Sequence, residues 1–127
     1  GLALRGHDIS VFGDGMQMRN VIYVEDVVNA LVMASISEKT NGDTFFAVGE
    51  KHYSVAEIAE KTMQCLGTGQ VKFIEWPKDR KVTEVGDAII SNKKIKESLG
   101  WAPKFDLESG LNKTGAYYNT CLEHYLI

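Results

Sequence analysis

The sequence predicts a mixed α/β domain in which short strands are separated by about four helices. Three observations carry this reading. Short β-branched runs stop abruptly at glycine, Asn-Gly or proline, as strands entering turns do. Between them lie stretches with helical apolar spacing and recognisable start signals. The 127 residues are 44% hydrophobic and 24% charged, enough for one buried core and unlike a disordered or disulfide-built chain.

The elements follow in order. Asp8–Phe12 (DISVF) reads as a strand stopped by Gly13-Asp14-Gly15, and Asn20–Val24 (NVIYV) reads as a second strand. Asp26 is placed to cap a helix over Val27–Ile36, its carboxylate accepting free N–H groups of the first turn. Only Asn29 and Ser35 are polar in that helix, so it needs burial on more than one face and, in so small a chain, points to a neighbour. After the Asn41-Gly42-Asp43 turn, Thr44–Val48 (TFFAV) reads as a strand. Ser54 and Glu57 form a capping box for a helix ending at Gly67, with Tyr53 placed to staple onto Ile58. Val71–Trp76 is a strand closed by Pro77, Lys78–Asp87 a polar loop, and Ala88–Ile90 a short extended piece. Ser91 or Asn92 starts a brief helix ending at Leu99-Gly100-Trp101. Asp106 caps the last helix, whose stripe is Leu107, Leu111, Tyr118, Cys121, Leu122 and Tyr125.

Charge and cysteines exclude several classes. The 14 Lys and Arg against 17 Asp and Glu give a net charge of −3, scattered rather than clustered, so no nucleic-acid footprint is expected. Cys65 and Cys121 stand in no ligand-like spacing and read as buried thiols of a reducing compartment. No apolar run approaches the ~18 residues of a membrane span, and GLALRGHDIS lacks a signal-peptide layout. The expectation is a cytoplasmic chain with no membrane partner.

No catalytic constellation is present. His7, His52 and His124 are scattered and no metal site is expected; there is no G-x-S-x-G elbow, P-loop or G-x-G-x-x-G turn. The arginines carry more. Arg19 directly precedes a strand and Arg80 lies in the polar loop after Trp76-Pro77. Two arginines on separate loops can close on a diphosphate with charge-assisted, bidentate bonds. From spacing alone the favoured reading is a pair of solvated surface arginines, Arg19 then answering Asp14 or Glu25, and spacing takes the argument no further.

Three longer runs, however, resemble one family in its own motif order. VFGDGMQMRNVIYVEDV (11–27), TFFAVGEKHYSVAEIAEKTMQCL (44–66) and SNKKIKESLGWAPKFDLESGL (91–111) are similar to the C-terminal part of extended short-chain dehydrogenase/reductases, the NAD-dependent nucleotide-sugar epimerases and dehydratases. Asn20 and Ser91 depart from it, standing where that family commonly has aspartate.

The resemblance implies that residues 1–127 are the substrate-binding region of a Rossmann-type enzyme. Its NAD-binding N-terminal domain and catalytic Tyr-x-x-x-Lys pair would then lie outside the chain, leaving no catalytic or cofactor-binding residue within it. It further implies that Arg19 and Arg80 meet the nucleotide diphosphate, that Gln17 and Phe12 lie by the nucleotide, and that Trp101 is structural. The helix at Val27–Ile36 would pack against the dinucleotide-binding half. The implied protein is a homodimer acting on a nucleotide-sugar such as a UDP-hexose. It would resemble UDP-glucose 4-epimerase, with dehydratase and reductase outcomes open, and the chain alone would be inactive. A non-catalytic nucleotide-sugar binding or interaction module is the competing expectation.

Overall fold

The computed structural model describes residues 1–125. Among these residues, two small sheets, five α-helices and three short 3₁₀ turns make up the fold. A 3₁₀ turn over Leu2–Arg5 leads into β1 (Ile9–Phe12), β2 (Met18–Asn20) and α1 (Val24–Ser35). Next come β3 (His52–Ser54), α2 (Val55–Leu66), β4 (Val71–Ile74), α3 (Lys78–Lys81), α4 (Lys93–Leu99) and α5 (Leu107–Cys121). β1 pairs with β4 in parallel, Ile9 opposite Val71 and Phe12 opposite Ile74. β2 pairs with β3 antiparallel, Arg19 opposite Tyr53. A two-stranded sheet is marginal alone, and α2 supplies what both lack by packing on β1, β3 and β4.

The capping box of α2 forms as its sequence dictates: Glu57 N–H donates to Ser54 Oγ (3.1 Å) and Ser54 N–H to the Glu57 carboxylate (2.7 Å). Asp106 caps α5 in the same way through Ser109. That hydrogen bonding to Ser109 holds the Asp106 carboxyl below the usual aspartate range. α5 approaches α2 closely at Gly115, where a Cβ would run into Leu66, and crosses Tyr23 at Gly110. Its apolar stripe is therefore less deeply buried than its two glycines. Its far end gathers Tyr117, Tyr118 and Tyr125 edge to face.

Several expectations are corrected. The second strand is Met18–Asn20, not Asn20–Val24, because Ile22 turns into the core and α1 has already begun at Val24. Tyr23, in extended conformation, is the N-terminal boundary of α1, so Asp26 does not cap it. Thr44–Val48 lies in no ladder among the described residues, and its Phe45 and Ala47 pack against the core. Lys78–Lys81 within the expected loop is a fifth, one-turn helix. Asn92, not Ser91, precedes α4. Cys65 and Cys121 are free thiols but only half-buried.

Asp26 does something larger than capping. It is 2% exposed, and its carboxylate accepts the backbone N–H groups of Lys104 and Phe105 (both 3.0 Å). Its own carbonyl accepts the Trp101 indole N–H at 3.2 Å. Trp101, 1% exposed, packs with Ala30 and Ile95 as the centre of the main core, with Ile22, Met33 and Leu99 around it.

α1 thus buries one stripe, through Ala30, against Ile95 of α4 and Trp101. Val24, Val28, Leu31, Val32 and Ile36 remain 52–81% exposed. The i, i+4, i+7, i+8 spacing of Val24, Val28, Leu31 and Val32 places them on one face.

Two outcomes follow from these contacts. Asp26→Ala strips two N–H groups of a charged acceptor and is expected to lower stability by about 2–4 kcal/mol, read as a fall in urea midpoint. Asp26→Asn, which keeps one accepting oxygen, is expected to cost about half of that. Second, the 127-residue chain alone is expected to self-associate through α1. Sedimentation velocity should show species heavier than the 14.1 kDa monomer, and Val28→Glu with Leu31→Glu should restore the monomer.

Candidate functional site

The cleft of interest forms where the two sheets meet the segment after β4. β1 ends at Phe12, and Gly13 N–H donates to the Ile74 carbonyl at 2.8 Å, which carries the register of the parallel pair one residue further. Trp76 consequently arrives beside Phe12, their ring centroids 5.3 Å apart and tilted by 43°. Gly13 adopts φ +67°, and a Cβ there would collide with the Trp76 indole, so this aromatic pair requires the glycine. The turn is then tied to the start of α2 by Ala56 N–H to Gly15 carbonyl (2.9 Å) and Val55 N–H to Gln17 carbonyl (3.1 Å). That fastening aims Gln17 and Arg19 along one wall.

The structure brings Phe12, Gln17, Arg19 and Arg80 to one open cleft of about 320 Å³. Trp76, Thr83 and Glu84 line it as well. Reasoning from sequence missed these three. An aromatic at a strand end before proline was the available signal for Trp76. For Glu84 there was none, since its partner is 65 residues distant.

Arg19 is held by three bonds. Nη1 donates to the Met18 carbonyl (2.8 Å) and the Gly86 carbonyl (2.5 Å), and Nη2 to Glu84 Oε1 (2.6 Å). The pair is partly buried, with side-chain exposures of 28% and 24%. The Asp14 and Glu25 partners entertained from sequence are taken elsewhere: Asp14 accepts from Met16 N–H, and Glu25 pairs with Lys113 at 2.8 Å. That bond to Glu25 raises the Lys113 pKa above the ordinary lysine value. Arg80 is exposed on α3 and lines the same cleft.

The segment bearing Arg80 and Glu84 is anchored at its end. Asp87 Oδ1 accepts from Met18 N–H (2.8 Å), and Ala88 N–H donates to the Met18 carbonyl (3.0 Å). The wall itself is braced by Asn20, whose amide donates to the Gly49 and Lys51 carbonyls and accepts from Gly49 N–H at 2.7 Å. An aspartate could make only the last of these, so the departure at Asn20 is used.

The Gly13-Asp14-Gly15 turn does not fit the pyrophosphate of a dinucleotide cofactor. A Cβ on Gly15 would stand 2.6 Å from Val11 Cγ1, and Gly13 is closed by Trp76. The glycines of this turn make room for the chain's own side chains, not for a pyrophosphate. Among the described residues no three of His, Cys, Asp and Glu gather to hold a metal. The Tyr117 hydroxyl is hydrogen-bonded to that of Tyr125 (2.8 Å), which raises its pKa above the ordinary tyrosine value. No helix among the described residues is long and apolar enough to cross a membrane.

Known proteins are similar to this chain in sequence and fold. Residues 2–114 match the GDP-mannose 4,6-dehydratase family profile. UDP-glucuronic acid decarboxylase 1 of Xenopus tropicalis is 34% identical over 123 residues, covering 96% of this chain and 28% of the relative. UDP-glucose 4-epimerase of Thermotoga maritima, solved with UDP-glucose, superposes with a TM-score of 0.76 at 30% identity, over 94% of this chain and 37% of that one. The Bordetella bronchiseptica enzyme WbmF, solved with NAD+ and UDP, gives a TM-score of 0.77 at 26% identity, over 96% and 35%. The chain spans about a third of the length of the proteins it matches. It belongs to the GDP-mannose 4,6-dehydratase family, among the extended short-chain dehydrogenase/reductases that act as nucleotide-sugar epimerases and dehydratases.

Proposed function

We propose that this chain is the substrate-gripping portion of an NAD-dependent nucleotide-sugar enzyme, and that its cleft holds the nucleotide diphosphate. The observation that carries this is the convergence of Arg19 and Arg80, from segments far apart in sequence, on a cleft that also presents the Phe12–Trp76 aromatic pair. A diphosphate carries about two negative charges, and a planar guanidinium meets it with parallel donors that a lysine does not reproduce. The UDP-glucose of the Thermotoga epimerase and the UDP of WbmF support this reading. In it, Gln17 and Phe12 lie along the nucleotide.

The role of such a grip is to position. Binding energy gathered on the diphosphate, remote from the reacting carbon, holds the sugar in one orientation for chemistry performed elsewhere. NAD, which WbmF carries, supplies hydride chemistry when bound, and we assign it to residues outside this chain. The partners are then a UDP-hexose-like ligand, the NAD-binding domain and, in the whole enzyme, a second copy. The cytoplasm is the compartment of this reading. Epimerisation in the manner of UDP-glucose 4-epimerase is the reaction placed first. A non-catalytic binding module would keep the diphosphate grip and lack turnover.

Two measurements test this. In the full-length protein, Arg19→Ala is expected to weaken UDP binding by roughly one to two decades, since each charge-assisted bond contributes about 1.5–3 kcal/mol. Arg19→Lys should recover part of the loss, and calorimetry showing unchanged affinity would remove the assignment. The 127-residue chain alone is expected to turn over no UDP-glucose and to leave NADH fluorescence unaltered on titration. Turnover that a substitution within residues 1–127 abolishes would contradict it.

A further inference from the structure

We propose that Glu84 is a resident counterion for Arg19 which an incoming diphosphate has to displace. The segment from Pro77 to Gly86 is thereby latched against the cleft wall until that exchange occurs. This rests on the diphosphate reading of Arg19 and concerns the regulation of that site.

The argument begins with donors. A guanidinium has five N–H groups in a fixed fork. Three are committed, to the Met18 carbonyl, the Gly86 carbonyl and Glu84 Oε1. The remaining two, on Nε and Nη2, form the side-on edge suited to a phosphate, but Nη2 also carries Glu84 at 2.6 Å. A phosphate oxygen on the same nitrogen would stand ~5 Å from the carboxylate, two anions close together in a partly enclosed cleft. The arrangement favours one anion or the other.

The segment is built to let go. Glu84 Oε1 also accepts from Gly86 N–H at 3.0 Å, so Glu84 and Gly86 close a small loop on themselves and meet Arg19 as a unit. Gly86 has φ +70°, the left-handed conformation that this turn needs. Apolar burial does little to fasten the segment, since Val82 and Val85 are 86% and 78% exposed. Its end is secured independently by Asp87 and Ala88 on Met18. Releasing Glu84 therefore loosens the stretch from Pro77 to Glu84, while Gly86 stays on Arg19 Nη1 and β2 is not unravelled. Arg80 rides on the same segment, so the exchange leaves it free to reach the anion that displaced Glu84.

The test is calorimetry with UDP on the full-length protein and its Glu84→Gln, Arg19→Ala and doubly substituted forms. A partly exposed pair is worth little in isolation, and removing the competing charge is expected to tighten UDP binding roughly three- to tenfold. In the Arg19→Ala background the same change should have an effect of less than about twofold, since coupling vanishes with its partner. Trypsin without UDP should cut Glu84→Gln faster at Lys78, Arg80 and Lys81, all in the latched segment. Unchanged or weaker UDP binding in Glu84→Gln, with Arg19→Ala still weakening it, overturns the latch and leaves the diphosphate reading standing. If Arg19→Ala changes nothing, that reading falls and the latch with it. Glu84→Ala, checked for its native circular dichroism, replaces Glu84→Gln should the latter not fold, with the same outcomes deciding.

Discussion

The buried carboxylate of Asp26 is the constraint on which the rest of this fold depends. An aspartate 2% exposed is stable only if its oxygens are supplied with donors. Here the donors are the consecutive backbone N–H groups of Lys104 and Phe105, 78 and 79 residues away. The segment after Trp101 must therefore run past the first turn of α1 in one register. That register seats the Trp101 indole on the Asp26 carbonyl and delivers Phe105 against Tyr23 at 4.9 Å. It also delivers Asp106 to the point where α5 begins. One polar residue thus joins the core, the start of α1 and the start of α5.

The cleft depends on a second tie of the same kind, made by backbone. Met18 uses its N–H on Asp87 and its carbonyl on both Ala88 N–H and Arg19 Nη1. Because β2 is only three residues long, these bonds do as much to fix it as its pairing with β3. They bring the segment after β4 over Arg19, so that the arginine's orientation and the cleft's opposite wall are set together. That wall is then held at its start by Trp76 on Phe12, at its end by the bonds to Met18, and between them by Arg19 on Glu84 and Gly86.

Local signals explain which parts were legible in the sequence. The α2 capping box, the Asp106 cap and the Leu99-Gly100-Trp101 ending are decided within a few residues, and each stands as its pattern reads. Thr44–Val48 has strand composition, but a strand is defined by its ladder, and this one has none among the described residues. Asp26 followed an N-cap pattern, whereas the helix had started at Val24 and the carboxylate answered a segment far along the chain. The site divides similarly. Phe12, Gln17, Arg19 and Arg80 could be named because they fall within or beside motifs. Glu84 could not, since only the folded chain brings it to Arg19.

The family's chemistry is varied, while this region is shared. A decarboxylase and an epimerase align with nearly all of this chain, although their reactions differ. A grip that acts on the diphosphate sees the part of a nucleotide-sugar that no such reaction alters. It can therefore be kept while the groups around the sugar are changed, and its residues are under no demand to act as acids or bases. The cleft agrees with that division. It offers two guanidinium groups, two aromatic rings and an amide, with Glu84 the one carboxylate lining it. That carboxylate is engaged with Arg19 at 2.6 Å, which is why the proposed grip and the proposed latch meet at the same guanidinium.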